Sequence, residues 1–395
     1  PFVYSSANLN YIDAFFETIS GITTTGATVI PNLESLSEGI LIWRALLQWF
    51  GGIGIIVLAL AILPTLQIGG MQLLHMEHDD PYEKTLPKIN QFVLEISIIY
   101  LLLTFICSLL YFVFGMSGFD AIAHAMTTIS TGGFSTYNDS LANFSSIKIE
   151  FISVMFMIIG SLPFVVYLKL THGDWKSLFK DDQIKLFFSL LIFLILITTF
   201  WLTINYNNDF IDSFRIAIFN ITSILTGTGY TSYNYNVWGG FGLIIMLTIM
   251  FIGGCAGSTT GGIKIFRLQL LFRGANAQIK KLTHPHGVFI TSFNKKSVGE
   301  ETFNSIMIFF FVYILVFIIS SIMLSLYNLD FLTSMSAAAS AISNVGPGLG
   351  SVIGPDGNYS SLPNGPKWIL SITMLIGRLE LFTFLVLLSS SFWKK

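Results

Sequence analysis

Apolar residues fall in long uninterrupted runs rather than in the alternating or one-faced patterns of soluble strands and helices. Seven runs approach or exceed the roughly 20 residues that a membrane-crossing helix needs. They are Gly39–Pro64, Gln91–Met116, Ile147–Leu170, Ile184–Asn205, Val237–Arg273, Thr302–Tyr327 and Lys367–Trp393. Between them lie shorter apolar stretches with helical character: Tyr11–Ile22, Asp120–Ile129, Ser213–Leu225 and Phe331–Ile342. At about 1.5 Å per residue these reach only roughly 15–20 Å, too little for a hydrocarbon core of about 30 Å. Each short helix runs into a Gly-rich turn, and a full-length run comes next. The order of long helix, short helix, irregular loop and long helix occurs three times in full, and a fourth, leading copy lacks its opening helix. Irregular backbone at membrane depth is tolerated only inside protein or beside a water-filled cavity. The pattern therefore predicts an all-α membrane protein with four tandem helix–pore-loop–helix repeats around one pore. The expected divisions are 1–64, 65–170, 171–273 and 274–395.

The four copies align on one glycine each: Thr25-Gly26-Ala27, Gly132-Gly133-Phe134, Thr228-Gly229-Tyr230 and Val345-Gly346-Pro347. Asp13 and Asp120 each stand 13 residues before their glycine, and Asp212 and Asp330 hold comparable places. An acid there suits the positive end of the helix dipole. Backbone carbonyls replace the hydration shell of a cation in a selective pore. Turning successive carbonyls to one axis needs unusual dihedral angles, which glycine reaches without a Cβ clash. The expected filter is Thr24, Thr25 and Gly26; Thr131, Gly132 and Gly133; Gly227, Thr228 and Gly229; and Asn344, Val345 and Gly346. Thr24, Thr25, Thr131 and Thr228 can add hydroxyl oxygens. The other reading is that these are Gly/Thr turns in re-entrant segments of a secondary transporter, whose broken helices also bind ions.

Composition agrees with a membrane-embedded chain. Hydrophobic residues make up 53% and charged residues 11%, against about 25% charged in soluble domains. The charges are segregated. Lys84 and Lys88, Lys169 to Lys185, the segment from Lys264 to Lys296, and Lys394-Lys395 share one side. Only Arg44, Lys148, Arg215 and Lys367 fall on the other. The basic side is cytoplasmic by the positive-inside rule, so the short helices enter from outside. The net charge of −2 gives no reason to expect nucleic acid. Cys107 and Cys255 offer no disulfide framework. The chain starts at Pro1 without a signal peptide, and its natural N-terminus is expected to lie further upstream.

The strings Thr-Thr-Thr-Gly-Ala-Thr (23–28), Ser-Thr-Gly-Gly-Phe (130–134), Thr-Gly-Thr-Gly-Tyr (226–230) and Asn-Val-Gly-Pro-Gly (344–348) resemble the four filters of the TrkH branch of the TrkH/Ktr/HKT superfamily. Gly253 to Lys264 resembles that branch's intramembrane gating loop. Trp43-Arg44 through Gln48-Trp49, and Gly377-Arg378-Leu379-Glu380, fit as well. The resemblance covers essentially the whole chain. It implies a potassium uptake subunit of the bacterial inner membrane, multi-pass in membrane lipid, with pore loops facing the periplasm. It also implies a homodimer and a cytoplasmic nucleotide-binding regulatory subunit of the TrkA type. A serine at the first filter glycine goes with sodium transport in the superfamily, so Gly26 favours potassium. The ion is cargo, and no organic cofactor is expected: no dinucleotide fingerprint is present, and Gly257–Lys264 lacks the Gly-Lys-Ser/Thr of a phosphate loop. No nucleophile–base pair points to an enzyme.

Residues 253–262 carry five glycines among ten residues, each costing a helix about 1 kcal/mol. The expectation is a gate below the filter built on Gly253, Gly254, Gly257, Ser258, Gly261 and Gly262; the alternative is a GxxxG-type packing face. Arg378 is expected to be the only intramembrane charge of note, either beside the ion path or paired with Glu380. His75 and His78 with Glu77, Asp79 and Asp80 read as a solvated loop, and His124 as structural. Trp43, Trp49 and Trp238 read as interface anchors. The basic 264–296 segment reads as an ordinary cytoplasmic loop or as a docking surface.

Overall fold

The structure is a computed structural model that describes residues 1–58, 87–206, 209–289, 291–294, 296–381 and 384. Lys84, the His75–Asp80 cluster, Trp393 and the terminal lysines lie outside the described residues. The chain is mostly helical, and among those residues the only strands are the two-residue antiparallel pair Ser292–Phe293 and Lys296–Ser297.

The short helices form where the sequence pattern places them: Tyr11–Ile22, Gly118–Ile129, Phe210–Leu225 and Phe331–Ser343. Three of their starts are capped by side chains. Asn10 accepts from the Asp13 N–H, Ser117 from that of Asp120, and Asp330 from that of Thr333. Such caps satisfy donors that a helix start leaves open. Asp13, Asp120 and Asp212 sit in the first turn, whereas Asp330 is itself the cap. Two of these acids also fasten distant parts of the chain. Asp120 accepts from Thr136 at 2.7 Å and from Tyr137 at 3.2 Å. Asp13 binds Lys367 Nζ at 2.6 Å and so ties the start of the chain to its last described helix, Asn364–Arg378.

Each short helix packs between longer ones. Gly118–Ile129 lies against Pro87–Val113 and Glu38–Val57, and Phe210–Leu225 against Asp182–Tyr206. Phe331–Ser343 lies against Glu300–Ser325 and Asn364–Arg378, and Tyr11–Ile22 also touches Asn364–Arg378. Ala337, Ala338, Ala339 and Ala341 are fully buried; small side chains let backbones approach closely. The long helices leave apolar faces uncovered, as at Leu101, Phe105, Phe193, Phe200, Phe311 and Ile322. Faces of that size are unstable in water and suit a lipid environment. Among the described residues four helices are long and apolar enough to cross a membrane: Glu38–Val57, Gln91–Val113, Asp182–Tyr206 and Glu300–Ser325.

Three expectations need correction. The run 147–170 is not one span: Ile147–Ser161 and Phe164–Thr171 meet at 92°. Pro163 has no N–H to continue the helix and drives Leu162 into extended backbone. Trp238 is buried and anchors no interface. Arg378 is not the only buried charge. Lys264 and Arg267, expected in an ordinary cytoplasmic loop or a docking surface, are buried and bind Glu380 at 2.7 and 2.6 Å. Arg44 is buried on Glu17 at 2.8 Å.

Glu17 also accepts from Thr28 Oγ1 at 3.0 Å and from the Val29 N–H at 2.9 Å. Removing one partner of a buried pair leaves an uncompensated charge and costs about 3–5 kcal/mol. Glu17→Ala should therefore lower the thermal midpoint of the purified protein in detergent. An unmoved midpoint would show that the Arg44 pairing adds no stability.

Candidate ion-permeation site

The four Gly-bearing turns share one backbone form. Each short helix is closed by an N–H to a carbonyl five residues earlier: Thr25 to Ser20, Gly132 to Thr127, Thr228 to Ser223 and Val345 to Ser340, at 2.9, 2.9, 2.9 and 3.0 Å. This is the Schellman arrangement, whose key residue takes a left-handed conformation. That residue is Thr24, Thr131, Gly227 or Asn344, with φ of 52°, 49°, 71° and 56°. Two residues on, Gly26, Gly133, Gly229 and Gly346 are again left-handed, with φ of 86°, 76°, 80° and 105°. For threonine such a φ is rare and strained.

The turns also meet. Gly26, Gly133, Gly229 and Gly346 line a single recess together with Ala27, Phe134, Pro347 and Tyr359. A Cβ on Gly26 would collide with the carbonyl oxygen of Gly132. One on Gly133 would strike that of Thr228, one on Gly229 that of Val345, and one on Gly346 would lie 2.6 Å from that of Thr25. The four carbonyls that precede the anchor glycines are thus taken up in cyclic order, first to second to third to fourth and back to first. Glycine is required at all four places because a neighbouring backbone occupies the side-chain volume.

The hydroxyls divide. Thr25 Oγ1 bonds Thr23 Oγ1 at 2.7 Å and accepts from Asn344 Nδ2 at 3.0 Å. Thr131 Oγ1 donates to Thr259 at 3.0 Å, and Thr228 Oγ1 lies 2.8 Å from Thr226 Oγ1. Only Thr24 Oγ1 and Asn344 Oδ1, among these side-chain atoms, are buried without a partner.

Supports behind the ring were not evident from the sequence. The buried amide of Gln48 donates from Nε2 to the Gly132 carbonyl at 2.6 Å and accepts the Phe134 N–H at 3.0 Å. Tyr359 and Ser340 each donate to the Gly346 carbonyl at 2.8 Å. Tyr230 reaches Thr127 Oγ1 at 2.5 Å. His124, as expected, is structural: its ring nitrogens lie 2.9 Å from the Asp120 carbonyl and 3.0 Å from Ser135 Oγ. Gln48 lies 84 residues from the Gly132 it holds, and an isolated polar residue in an apolar run was the one available sign of it; Tyr359 lies 13 residues after Gly346, in a polar stretch that gave no sign.

The 251–264 segment separates Gly239–Met250 from Ile265–Thr283. It is irregular rather than helical, so its glycines do not form a GxxxG helix face. Gly253, Gly257 and Gly262 are left-handed. It lies against the C-terminal ends of the short helices. Thr259 Oγ1 donates to the Ile129 and Gly160 carbonyls at 3.1 and 2.9 Å, and a Cβ on Gly261 would strike the Ser343 carbonyl. The bend at Pro163 holds the segment by backbone: Cys255 N–H to the Ser161 carbonyl at 3.0 Å, Thr259 N–H to that of Gly160 at 3.3 Å, and Phe164 N–H to that of Gly257 at 2.9 Å. Gln183 Oε1 accepts the Ala256 N–H at 3.0 Å, and Ser258 is tied to Thr260 within the segment at 2.8 Å. Arg378 Nη1 donates to the Thr259 carbonyl at 2.9 Å. It is not hydrogen-bonded to Glu380, which is taken by Lys264 and Arg267.

Comparison with known proteins agrees with this architecture. The family model for TrkH, described as a cation transport protein, matches residues 1–395. The chain is 39% identical over 396 residues to the Trk system potassium uptake protein TrkI of Halomonas elongata, spanning all of this chain and 80% of that protein. It is 39% identical over 400 residues to the Trk system potassium uptake protein TrkH of Escherichia coli, spanning 82% of it. The crystal structure of the potassium transporter TrkH from Vibrio parahaemolyticus superposes with a TM-score of 0.89 at 38% identity, over 98% of this chain and 80% of that one. Matching along its whole length in both sequence and fold, the chain belongs to the TrkH family of cation transport proteins.

Proposed function

We propose that this chain carries potassium ions across the bacterial inner membrane through a pore whose selective part is a ring of backbone carbonyls. The observation that supports this most directly is the cyclic contact of Gly26, Gly133, Gly229 and Gly346 with the carbonyls of Gly132, Thr228, Val345 and Thr25. A dehydrated cation needs such oxygens from every side. Its relatives are named for potassium uptake. The negative ends of four short helices stabilise a cation at the same place. Alternating left-handed residues, at Thr24 and Gly26 and their equivalents, let successive carbonyls face one side.

In this reading the chain is four tandem units, 1–64, 65–170, 171–273 and 274–395, around one axis. The loops open to the periplasm, and the exposed Lys176, Lys180, Lys185, Lys280 and Lys281 face the cytoplasm. The 253–262 loop is the gate, closing the path beneath the ring, with Gly253, Gly254, Gly257, Ser258, Gly261 and Gly262 as its movable part. Arg378 holds the gate through Thr259 and opposes cation leak by its charge. Two such chains pair as a homodimer. A nucleotide-binding subunit of the TrkA type docks on the exposed end of Ile265–Thr283, where Phe272 and Leu282 are uncovered. Nucleotide binding belongs to that subunit.

Growth of an uptake-deficient bacterium in low potassium, carrying the full-length gene, tests the reading. Gly229→Val should abolish rescue and lower uptake roughly a hundredfold or more, equivalent to about 3 kcal/mol of distortion at the ring. Normal rescue by this variant would remove the ring from the ion path. Arg378→Ala should raise single-channel conductance by roughly two- to tenfold, the size of a screened charge repulsion of about 1 kcal/mol. Strict coupling of potassium flux to sodium or protons, without channel currents, would favour the transporter reading instead.

A further inference from the structure

We infer that Gln48 sets the preference of the pore for potassium over sodium by holding one of the four ring carbonyls, that of Gly132. This rests on the proposed reading of the ring as the ion path. Gln48 is fully buried in the helix Glu38–Val57 and reaches out of its own unit into the second loop. Its two contacts bracket Gly133. Nε2 donates to the Gly132 carbonyl at 2.6 Å, and Oε1 accepts the Phe134 N–H at 3.0 Å. A carbonyl can only accept and an N–H can only donate, so the partners fix which way the amide points.

The second loop differs from its three counterparts at this register. Thr25, Thr228 and Val345 carry side chains there, whereas the second loop has Gly132. The space a side chain on Gly132 would fill is occupied by the Gln48 amide, whose Nε2 lies 2.8 Å from the ideal Cβ position. Gln48 thus stands in for the missing side chain and adds a hydrogen bond that the other ring positions lack. Among the described residues no side chain donates to the carbonyls of Thr25, Thr228 or Val345.

The consequence is a ring with one restrained oxygen and three without a side-chain donor. Sodium is smaller than potassium, and coordinating it requires the carbonyls to swing inward. The donated hydrogen bond opposes that movement at Gly132 and draws off part of the oxygen's field. Both effects penalise the smaller ion more, whether selectivity comes from ring size or from field strength. Gln48 is therefore a positioning residue that acts through the Gly132 carbonyl.

The test is the reversal potential of the full-length protein in planar bilayers with potassium on one side and sodium on the other, a quantity independent of the number of open pores. Q48M keeps the length and apolar bulk of the side chain but cannot hydrogen-bond the Gly132 carbonyl. Its potassium-to-sodium permeability ratio should fall roughly threefold or more, a fraction of one neutral hydrogen bond. G132A, which forces the amide aside without altering residue 48, should shift the ratio in the same direction, and it carries the test alone if Q48M does not fold. An unchanged or raised ratio overturns the inference, even when current amplitude drops, since that drop alone is what a merely structural residue would produce. G229V run in parallel separates the two ideas: ordinary currents from G229V would refute the ring itself, while blocked currents with an unshifted Q48M ratio would refute only the role of Gln48.

Discussion

The carbonyl oxygens of Thr25, Gly132, Thr228 and Val345 lie where side chains on four glycines would have to be, so at these positions adjacent loops meet main chain to main chain. In the proposed reading of the ring as an ion path its inner side stays free of side chains, so nothing braces such loops from the front. They are braced from behind, by Schellman closures, by Tyr359 and Ser340 on Gly346, and by Gln48 on the second loop. Thr24 and Thr131 hold left-handed conformations that cost about 1–3 kcal/mol each. Such strain survives only where the surroundings leave no alternative, and both residues are buried among other loops.

Charge is placed with the same economy of partners. Glu17 on Arg44 joins the first short helix to the next span, and Arg44 goes on to the Ser135 carbonyl at 2.9 Å in the second loop. Asp13 on Lys367 closes the circle between the two ends of the described chain. Beneath the ring the balance differs. Lys264, Arg267 and Arg378 surround one carboxylate, Glu380, and Arg378 binds main-chain oxygen instead. A surplus of positive charge therefore lies beside the irregular 251–264 segment.

The short helices were legible because composition and local chemistry agree at every one of them. An apolar stretch too short to cross, an acid at the start and a glycine at the end placed Tyr11–Ile22 to the residue, and Phe331–Ser343 to within one. The aligned glycines were legible for the same reason: a repeated local conformation leaves a repeated local signature. Contacts between distant stretches of the chain left no such trace. Gln48 resembles any polar residue in an apolar run, and Lys264 and Arg267 resemble loop charges until Glu380, more than a hundred residues later, is found on them. The bend at Pro163 could have been anticipated, since proline within an otherwise helical run breaks the backbone ladder. The run 147–170 was continuous enough in hydrophobicity to hide it.

That bend has a consequence for how two distant stretches of chain are joined. In an unbroken helix the Phe164 amide would be satisfied by Gly160, four residues back. Here Phe164 is given to Gly257, and Gly160 and Ser161 receive Thr259 and Cys255 in exchange. The elbow and the glycine-rich segment are two halves of a single seam, sewn by shared backbone stitches. Unpicking one half would strand main-chain groups on the other, and Phe164 and Gly160 cannot simply satisfy each other instead, because a straight helix there would put Leu162, the residue before Pro163, into the α region that proline disfavours. Displacing the segment would therefore cost three main-chain hydrogen bonds to the elbow, and the two are fastened to each other through backbone alone at Ser161–Cys255, Gly160–Thr259 and Phe164–Gly257.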